Sequence, residues 1–184
     1  MARARLDIRY RPKSFFYCKG EYNRPKLQLE IYRVDNALKK QVWEVFRKYH
    51  YLNTELHTAA NQWVAIVNGE LVAHTGIIQF PMRKGWKRVH RLVVLPDYQG
   101  IGIGTAFIKA IAEHYTNNGY VMNLTTTTPS LVHALRRSKN WRLIRYGRQK
   151  ENMNKFDEYY STGNKHFSKS QSNRRITYSF NYKK

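Results

Sequence analysis

Between Gln99 and Thr105 the chain reads Gln-Gly-Ile-Gly-Ile-Gly-Thr, with glycines at 100, 102 and 104. Glycines let a backbone approach an anion closely and turn its N–H groups inward, and a helix starting there adds its positive end. In outline this is a phosphate cradle. A P-loop would end in Gly-Lys-Ser/Thr, but here Thr105 follows Ile103-Gly104 without the lysine. A dinucleotide-binding fold would need Gly-x-Gly-x-x-Gly and an acid about 20 residues later. This chain has Gly-x-Gly-x-Gly and no acid between Glu113 and Glu151. The bland alternative is a glycine-rich turn that holds nothing.

Four histidines, His50, His57, His90 and His133, are candidates for proton transfer, since imidazole is the side chain poised near neutral pH. A lone histidine is more often a surface or satisfied core residue. His50 stands out because Tyr51 follows it in an aromatic stretch, Tyr49-His50-Tyr51-Leu52. No second histidine or carboxylate clusters with this pair in sequence, so spacing gives no metal site. Cys18 is the single cysteine, which excludes an internal disulfide and a cysteine-based zinc site and fits a reducing cytoplasm.

The elements that must position these residues follow from periodicity. Leu27, Leu29 and Ile31 alternate with polar residues and predict a half-buried strand over 27–34. Asp35 or Asn36 would cap a helix with Leu38, Val42, Val45 and Phe46 on its apolar face. A further short helix would start at Asn53 or Thr54. Strands are expected at 62–67 and 70–80, joined by Asn68-Gly69, a favoured hairpin turn. Another apolar run, Val89 to Leu95, precedes the glycine segment. A helix then spans about 105–115, burying Phe107, Ile108, Ile111, Ala112 and Tyr115, and Gly119 ends it. A strand at 121–126, a helix opened by Pro129 and a strand at 141–146 follow. Ile176, Tyr178, Phe180 and Tyr182 alternate with polar residues as a last antiparallel strand. The 184 residues suit one domain, 1–184, with a basic arm (1–26) and a polar, basic insertion (147–173).

Lys and Arg total 33 against 12 Asp and Glu, a net charge of +21. The excess is clustered. Arg83, Lys84, Lys87, Arg88 and Arg91 crowd nine positions, and Arg136, Arg137, Lys139 and Arg142 begin another basic stretch. A solvated positive face is the ordinary reading of a modest excess. One this lopsided, with 14 tyrosines, points to nucleic acid, with double-stranded DNA the expected partner. No run approaches the roughly 18 apolar residues of a membrane span, and no secretory signal opens the chain, so a cytoplasmic protein is expected. Oligomeric state is not legible.

The stretch Arg91-Leu92-Val93-Val94-Leu95-Pro96-Asp97-Tyr98-Gln99-Gly100-Ile101-Gly102-Ile103-Gly104 resembles the signature of the Gcn5-related N-acetyltransferases (GNAT). That signature is Gln/Arg-x-x-Gly-x-Gly/Ala after a strand ending in Val-x-Pro. Gln99, Gly102 and Gly104 fill its defined positions. The resemblance covers about residues 27–146 and the last strand. It implies an α/β (α+β) fold, a mixed, mostly antiparallel sheet of about six or seven strands with helices on both faces. It also implies that acetyl-CoA or another acyl-CoA enters where the 89–95 and 121–126 strands splay apart. Leu92, Val93 and Val94 would pair with pantetheine, and Gln99, Gly100, Ile101, Gly102, Ile103, Gly104 and Thr105 would hold the pyrophosphate. A backbone N–H near Val94 would polarise the thioester. Many members place a tyrosine in the helix after the 121–126 strand to protonate the leaving thiolate. Here Arg136 falls at that place, with Ser130 or His133 as substitutes.

A second resemblance is to the Mom-like branch of phage proteins, GNAT-like enzymes that modify adenine in DNA. It rests on Tyr49-His50-Tyr51-Leu52, Asn68-Gly69-Glu70-Leu71-Val72-Ala73, Phe80-Pro81 and His90-Arg91-Leu92-Val93-Val94. It implies a functional role for His50 and Tyr51, which in that branch could also bind a metal. The expectation is therefore an N-acyltransferase acting on a base in DNA, with Arg83, Lys84, Lys87, Arg88, Arg136, Arg137, Lys139 and Arg142 on the nucleic acid. A protein or ribosome acetyltransferase, and a non-catalytic nucleic-acid-binding module on the same scaffold, are the alternatives.

Overall fold

A computed structural model describes residues 8–10, 27–50, 56–81, 83–148 and 176–183. They form two compact units, one ending at Leu124 and the other running from Thr125 to Lys183.

The first unit holds β1 (Ile8–Tyr10), β2 (Leu27–Arg33), α1 (Lys39–Arg47), β3 (Asn61–Val67), β4 (Glu70–Gln79), β5 (Trp86–Val94), α2 (Ile103–Asn117) and most of β6 (Val121–Thr126). Its strands lie in the order β1-β2-β3-β4-β5-β6. Every pairing is antiparallel except the last, where β6 runs parallel to β5. The hairpin between β3 and β4 turns at Asn68 and Gly69, with φ of 51° and 83°, the positive pair that its two-residue turn requires. β1 lies inside the segment expected to be only a basic arm.

The alternation of side chains divides the sheet between two layers. Val64 and Val93 point to one face and pack with Val34, Trp43 and Phe46. On the other face lies α2, whose Phe107, Ile108, Ile111, Ala112 and Tyr115 are all buried as their spacing predicts. Trp63 donates its indole N–H to the Tyr115 hydroxyl at 3.3 Å, which satisfies a polar atom that burial would otherwise penalise. Each fully buried large apolar side chain contributes roughly 1.5–3 kcal/mol, so these two layers carry the unit.

The α1 reading needs correction. A short 3-10 turn, Asn36–Leu38, precedes the helix, and the Asp35 side chain makes no capping bond. Trp43 and Phe46 are the buried residues of α1, whereas Leu38 and Val45 are 48% and 43% exposed. Leu38 falls in the 3-10 turn ahead of the helix, and within α1 Trp43 and Phe46, one turn apart, face the sheet while Val45 lies off that stripe. The short helix expected at Asn53 or Thr54 lies outside the described residues.

The second unit contains the end of β6, α3 (Pro129–Arg137), β7 (Trp141–Gly147) and β8 (Thr177–Tyr182). Here β8 lies between β6 and β7 and pairs antiparallel with β7. Pro129 sits in the first turn of α3, where its missing N–H costs nothing. Phe180 and Tyr182 are buried, as the alternation predicts, but Ile176 is exposed and precedes the strand. Gly147 closes β7 rather than opening the insertion, and residues 149–173 lie outside the described set. Among the described residues the strands number eight with β1, mixed and mostly antiparallel, with helices.

Candidate active site

The glycine segment is tied to β5 by its first residue. Gln99 donates its side-chain N–H to the carbonyl of Val94 at 2.8 Å. Leu95 N–H donates to Val72 C=O at 2.9 Å. In an antiparallel ladder the backbone groups alternate, so Leu92 and Val94 turn theirs away from β4, towards the edge nearer β6. Register pairs with β6 stop at Arg88↔Asn123. Among the described residues, β5 from Val89 to Val94 therefore has no register partner on that edge. This is the expected splay, and the Val94 N–H lies along it.

The segment itself is a cradle. Gly100 and Gly102 have φ of 80° and 91°, a conformation that L side chains rarely adopt. Gly102 caps α2, and the first helical bond runs from Ala106 N–H to Gly102 C=O at 3.0 Å. The N–H groups of Ile103, Gly104 and Thr105 thus precede any intrahelical acceptor and are free to bind an anion. The Thr105 hydroxyl donates to Gly102 C=O at 2.8 Å and tightens the turn. A Cβ on Gly104 would come within 3.1 Å of Val94 Cγ2, so glycine there lets α2 sit close on β5. Ile101 is 40% exposed while Ile103 is buried, so only the latter anchors the turn.

The opposite face of the sheet gathers imidazoles. His50 follows α1 directly, its N–H bound to Arg47 C=O at 3.2 Å. Its ring centroid lies 6.2 Å from that of Trp43. A bulge in the β4–β5 ladder pairs Gly76 with Arg91 and Ile77 with Val89, which leaves His90 as the extra residue. The His90 ring stands edge-on to His57 at 6.1 Å. Arg91 shares its facing with Val93, towards α1. Gly76 makes room there, because a Cβ would come within 3.2 Å of Leu56 Cδ1. Burial and then the Arg91 charge lower the pKa of His50 to about 4, and burial, Arg91 and other neighbours lower that of His90 to about 4. Both imidazoles are neutral at neutral pH and able to accept a proton.

His74 and Gln62 were missed by the motif reading. His74 is fully buried in the middle of β4, stacked on Phe46 at 5.4 Å and tilted against Trp43 at 5.2 Å. Its Nε2 is 3.1 Å from Gln62 Oε1. Two polar residues inside otherwise apolar strand runs were the available signal, since such residues are buried only for a reason.

Of the other expected site residues, Tyr51 lies outside the described residues. Ser130 and His133 are exposed on α3, and Arg136 is exposed in its last turn. Arg137, Lys139 and Arg142 are exposed too. Arg83 and Lys84 are exposed at the β4–β5 turn, with the Arg83 guanidinium 4.7 Å from the Trp86 ring. Lys87 and Arg88 are half-buried, set over Tyr120 at 4.8 Å and Phe80 at 5.7 Å. No group of three or more metal-ligating side chains occurs among the described residues, and no helix there is long and apolar enough to cross a membrane.

The profile of the acetyltransferase (GNAT) family matches residues 28–137, more than half of the chain. The chain belongs to that family. Solved structures agree on the fold. A GNAT acetyltransferase from Elizabethkingia anophelis with acetyl-CoA bound superposes with a TM-score of 0.59 at 12% identity, covering 85% of this chain and 98% of that one. A Bacillus subtilis acetyltransferase in complex with CoA gives 0.58 at 13% identity, covering 86% and 99%. The ribosomal-protein-S18-alanine N-acetyltransferase of Escherichia coli gives 0.56 at 12% identity, covering 83% and 92%. No curated protein matches the chain in sequence.

Proposed function

We propose that this GNAT protein is an acyl-CoA-dependent N-acyltransferase whose acceptor nitrogen belongs to nucleic acid, with adenine in duplex DNA as the first substrate to test. The observation that carries the cofactor assignment is the bond from Gln99 to the Val94 carbonyl. It ties the amides of Ile103, Gly104 and Thr105 to the edge of β5 that β6 leaves uncovered. An acyl-CoA fits those residues: the glycine segment would take its pyrophosphate and the Leu92–Val94 edge its pantetheine. When bound, it supplies an activated acyl carbon on a thiol leaving group.

The residues of the chain then have defined tasks. The Val94 N–H would donate to the acyl oxygen as negative charge develops there. His50 would take the proton from the acceptor nitrogen as the N–C bond forms and the C–S bond breaks, and the resulting imidazolium would return that proton through solvent to the departing thiolate. An imidazole at about 4 is a weak base. It suits an amine that is already neutral, such as the exocyclic nitrogen of a base, better than an alkylammonium with a pKa of about 10.4.

Support for nucleic acid comes from the +21 charge and from the exposed Arg83, Lys84, Arg136, Arg137, Lys139 and Arg142. Support for adenine in DNA is the resemblance of the stretch Tyr49-His50-Tyr51-Leu52 to the Mom-like branch. A cytoplasmic location goes with this reading. Mass spectrometry of nucleosides from DNA and RNA of cells expressing the chain tests it. A new acylated adenine is the expected result. Unmodified nucleic acid together with newly acylated lysines or protein N-termini would overturn it for a protein acceptor.

A further inference from the structure

The turn from β4 to β5 is built more firmly than a connecting loop requires. Phe80 N–H donates to Trp86 C=O at 2.9 Å, and inside that span Arg83 N–H donates to Phe80 C=O and Trp86 N–H to Arg83 C=O, both at 3.3 Å. The Gln79 side-chain N–H donates to Arg83 C=O at 2.8 Å, and Val121 N–H ties Gly85 C=O to β6 at 3.0 Å. The turn so fixed holds two half-buried rings, Phe80 and Trp86, edge to face with centroids 6.0 Å apart. Cations lie over them. The exposed Arg83 guanidinium is 4.7 Å from the Trp86 ring and 5.5 Å from Phe80, and that of Arg88 is 5.7 Å from Phe80. Lys84 is exposed beside them. No Asp or Glu occurs between Glu70 and Asp97, and none of the three cations pairs with an acid among the described residues.

An acid here would steady a turn that only joined two strands, because three like charges repel. Ring contacts at an exposed site offset little of that repulsion. Rings together with guanidinium groups match an unpaired nucleotide, whose base offers a π-face and whose phosphate is an anion. An acidic peptide would need the cations but not the rings. A lipid surface would need apolar side chains that project further than these half-buried ones. The position agrees with a nucleotide. His74, Gly76, Ile78 and Phe80 alternate onto one face of β4, and Arg88 and Trp86 stand across the ladder from the last two. That face is the one on which Trp43 and Phe46 pack against His74. From Gly76 to Phe80 the strand rises about 13 Å. Arg88 links the two ends, since after burial, Arg91 and His57 its charge also lowers the pKa of His90.

We propose that this turn is a stacking platform for an unpaired base of the acceptor strand: the base lies on Trp86 and Phe80, and Arg83 and Arg88 take the phosphates beside it. Arg83 moves off the rings as the base arrives. The acceptor strand is then engaged with its bases unpaired, so a duplex must open there, as enzymes that react at a base require. This rests on nucleic acid being the acceptor, as in the function proposed above.

Fluorescence anisotropy of a labelled oligonucleotide, as a single strand and as its duplex, tests the platform without CoA. The proteins are the full-length wild type, Trp86→Phe and Trp86→Leu. Trp86→Leu should weaken single-strand binding by at least about fivefold, the lower end of what one stacked base contributes. Trp86→Phe keeps a ring and should retain most of the affinity. Binding of the closed duplex, held through phosphates, should change by less than about twofold in either variant. An unchanged single-strand affinity in Trp86→Leu, or equal losses for both oligonucleotides, overturns the proposal. So does displacement of the single strand by polyglutamate as readily as by unlabelled oligonucleotide, which would make the turn a general anion surface.

Photocrosslinking of the wild type to a single strand carrying 5-iodouracil reads the contact without any substitution, so a variant that folds poorly leaves the outcome decided. The crosslinked peptide is expected to contain Phe80 or Trp86, and crosslinks confined to other aromatic residues overturn the proposal. Nucleoside mass spectrometry separates the two levels. An acylated base with crosslinks elsewhere defeats only the platform. Unmodified nucleic acid with newly acylated lysines or protein N-termini defeats the function proposed, and the platform with it.

Discussion

The side-chain amide of Gln99 donates to the carbonyl of Val94 at 2.8 Å, five residues back across the turn at Pro96–Tyr98. That bond couples the two halves of the proposed cofactor site, the strand edge and the glycine segment. Tyr98 adds a second tie, its hydroxyl donating to Glu70 Oε2 at 2.7 Å at the start of β4. Gln99→Met keeps the length of the side chain and removes the amide. A hydrogen bond is worth about 0.5–1.5 kcal/mol net, so CoA affinity should fall roughly twofold to tenfold. Calorimetric titration with CoA checks this, and unchanged affinity would show that the cradle is placed without the bond.

CoA or acetyl-CoA should raise the melting temperature of the wild type, because a ligand that binds only the folded state stabilises it. Gly102→Glu should abolish that rise by placing a carboxylate at the cradle. Its backbone φ of 91° makes any side chain there costly as well. Gly102→Asn separates the two effects, since asparagine tolerates this conformation and brings no charge. The expected pattern is a CoA response retained in part by Gly102→Asn and absent from Gly102→Glu. A full response in Gly102→Glu would remove the pyrophosphate from this segment.

Most of this architecture was legible because its signals are local. Asn68-Gly69 announces its own turn, and the α2 face repeats every three to four residues. The glycine segment combines residue types that few other folds need together. The acceptor side was harder. The apolar stripe of α1 could be drawn through Val45 or through Trp43, and packing against Val64 and Val93 decides for Trp43. His90 owes its direction to a bulge, an added residue visible only once Gly76 and Arg91 are paired. His74 meets Trp43 through strand pairing and helix packing across 31 positions of sequence, which periodicity alone does not reveal.

Of the four described histidines whose pKa is lowered, three with large shifts set the acid limit of the fold, while His114 is lowered through burial and then Arg33. His50 and His90 lie at about 4 and His74 at about 3, against an ordinary 6.5, chiefly through burial. The unfolded chain takes up protons on these rings as pH falls through 6.5, and the folded chain does not. The folded state therefore loses stability progressively from pH 6.5 down to about 4, and above pH 6.5 these groups contribute no pH dependence. Melting temperatures should fall steeply between pH 6.5 and 4.5, and His74→Asn should flatten that fall. A flat profile over this range would mean that the rings are solvated.

His50→Ala and Tyr51→Phe should abolish or strongly reduce acyl transfer while leaving the CoA-induced rise in melting temperature intact, since the proposed function assigns both residues to the acceptor. Removing a general base typically costs 10²–10⁴-fold in rate, so the losses should stand well clear of assay noise. Full activity in both variants would take the base away from this loop. Loss of the CoA response in either would make that residue part of the fold instead.

The basic residues of the second unit give the last prediction. Arg136 and Arg137 are exposed in the last turn of α3, and Lys139 is exposed two residues beyond it. If they neutralise phosphates, each releases condensed counterions, and log affinity for duplex DNA falls with log salt by roughly 0.9 per phosphate. The triple substitution by alanine should therefore weaken binding and flatten the salt slope by up to about 2.7, as three such contacts would. The loss should be similar for unrelated duplex sequences, because phosphate contacts carry no base information. CoA should still raise the melting temperature, which separates lost contacts from lost folding. A solvated positive face predicts the opposite: weak binding whose affinity and slope the triple substitution barely changes. Fluorescence anisotropy of a labelled duplex between 50 and 200 mM salt, about the range over which such contacts weaken, decides between the two.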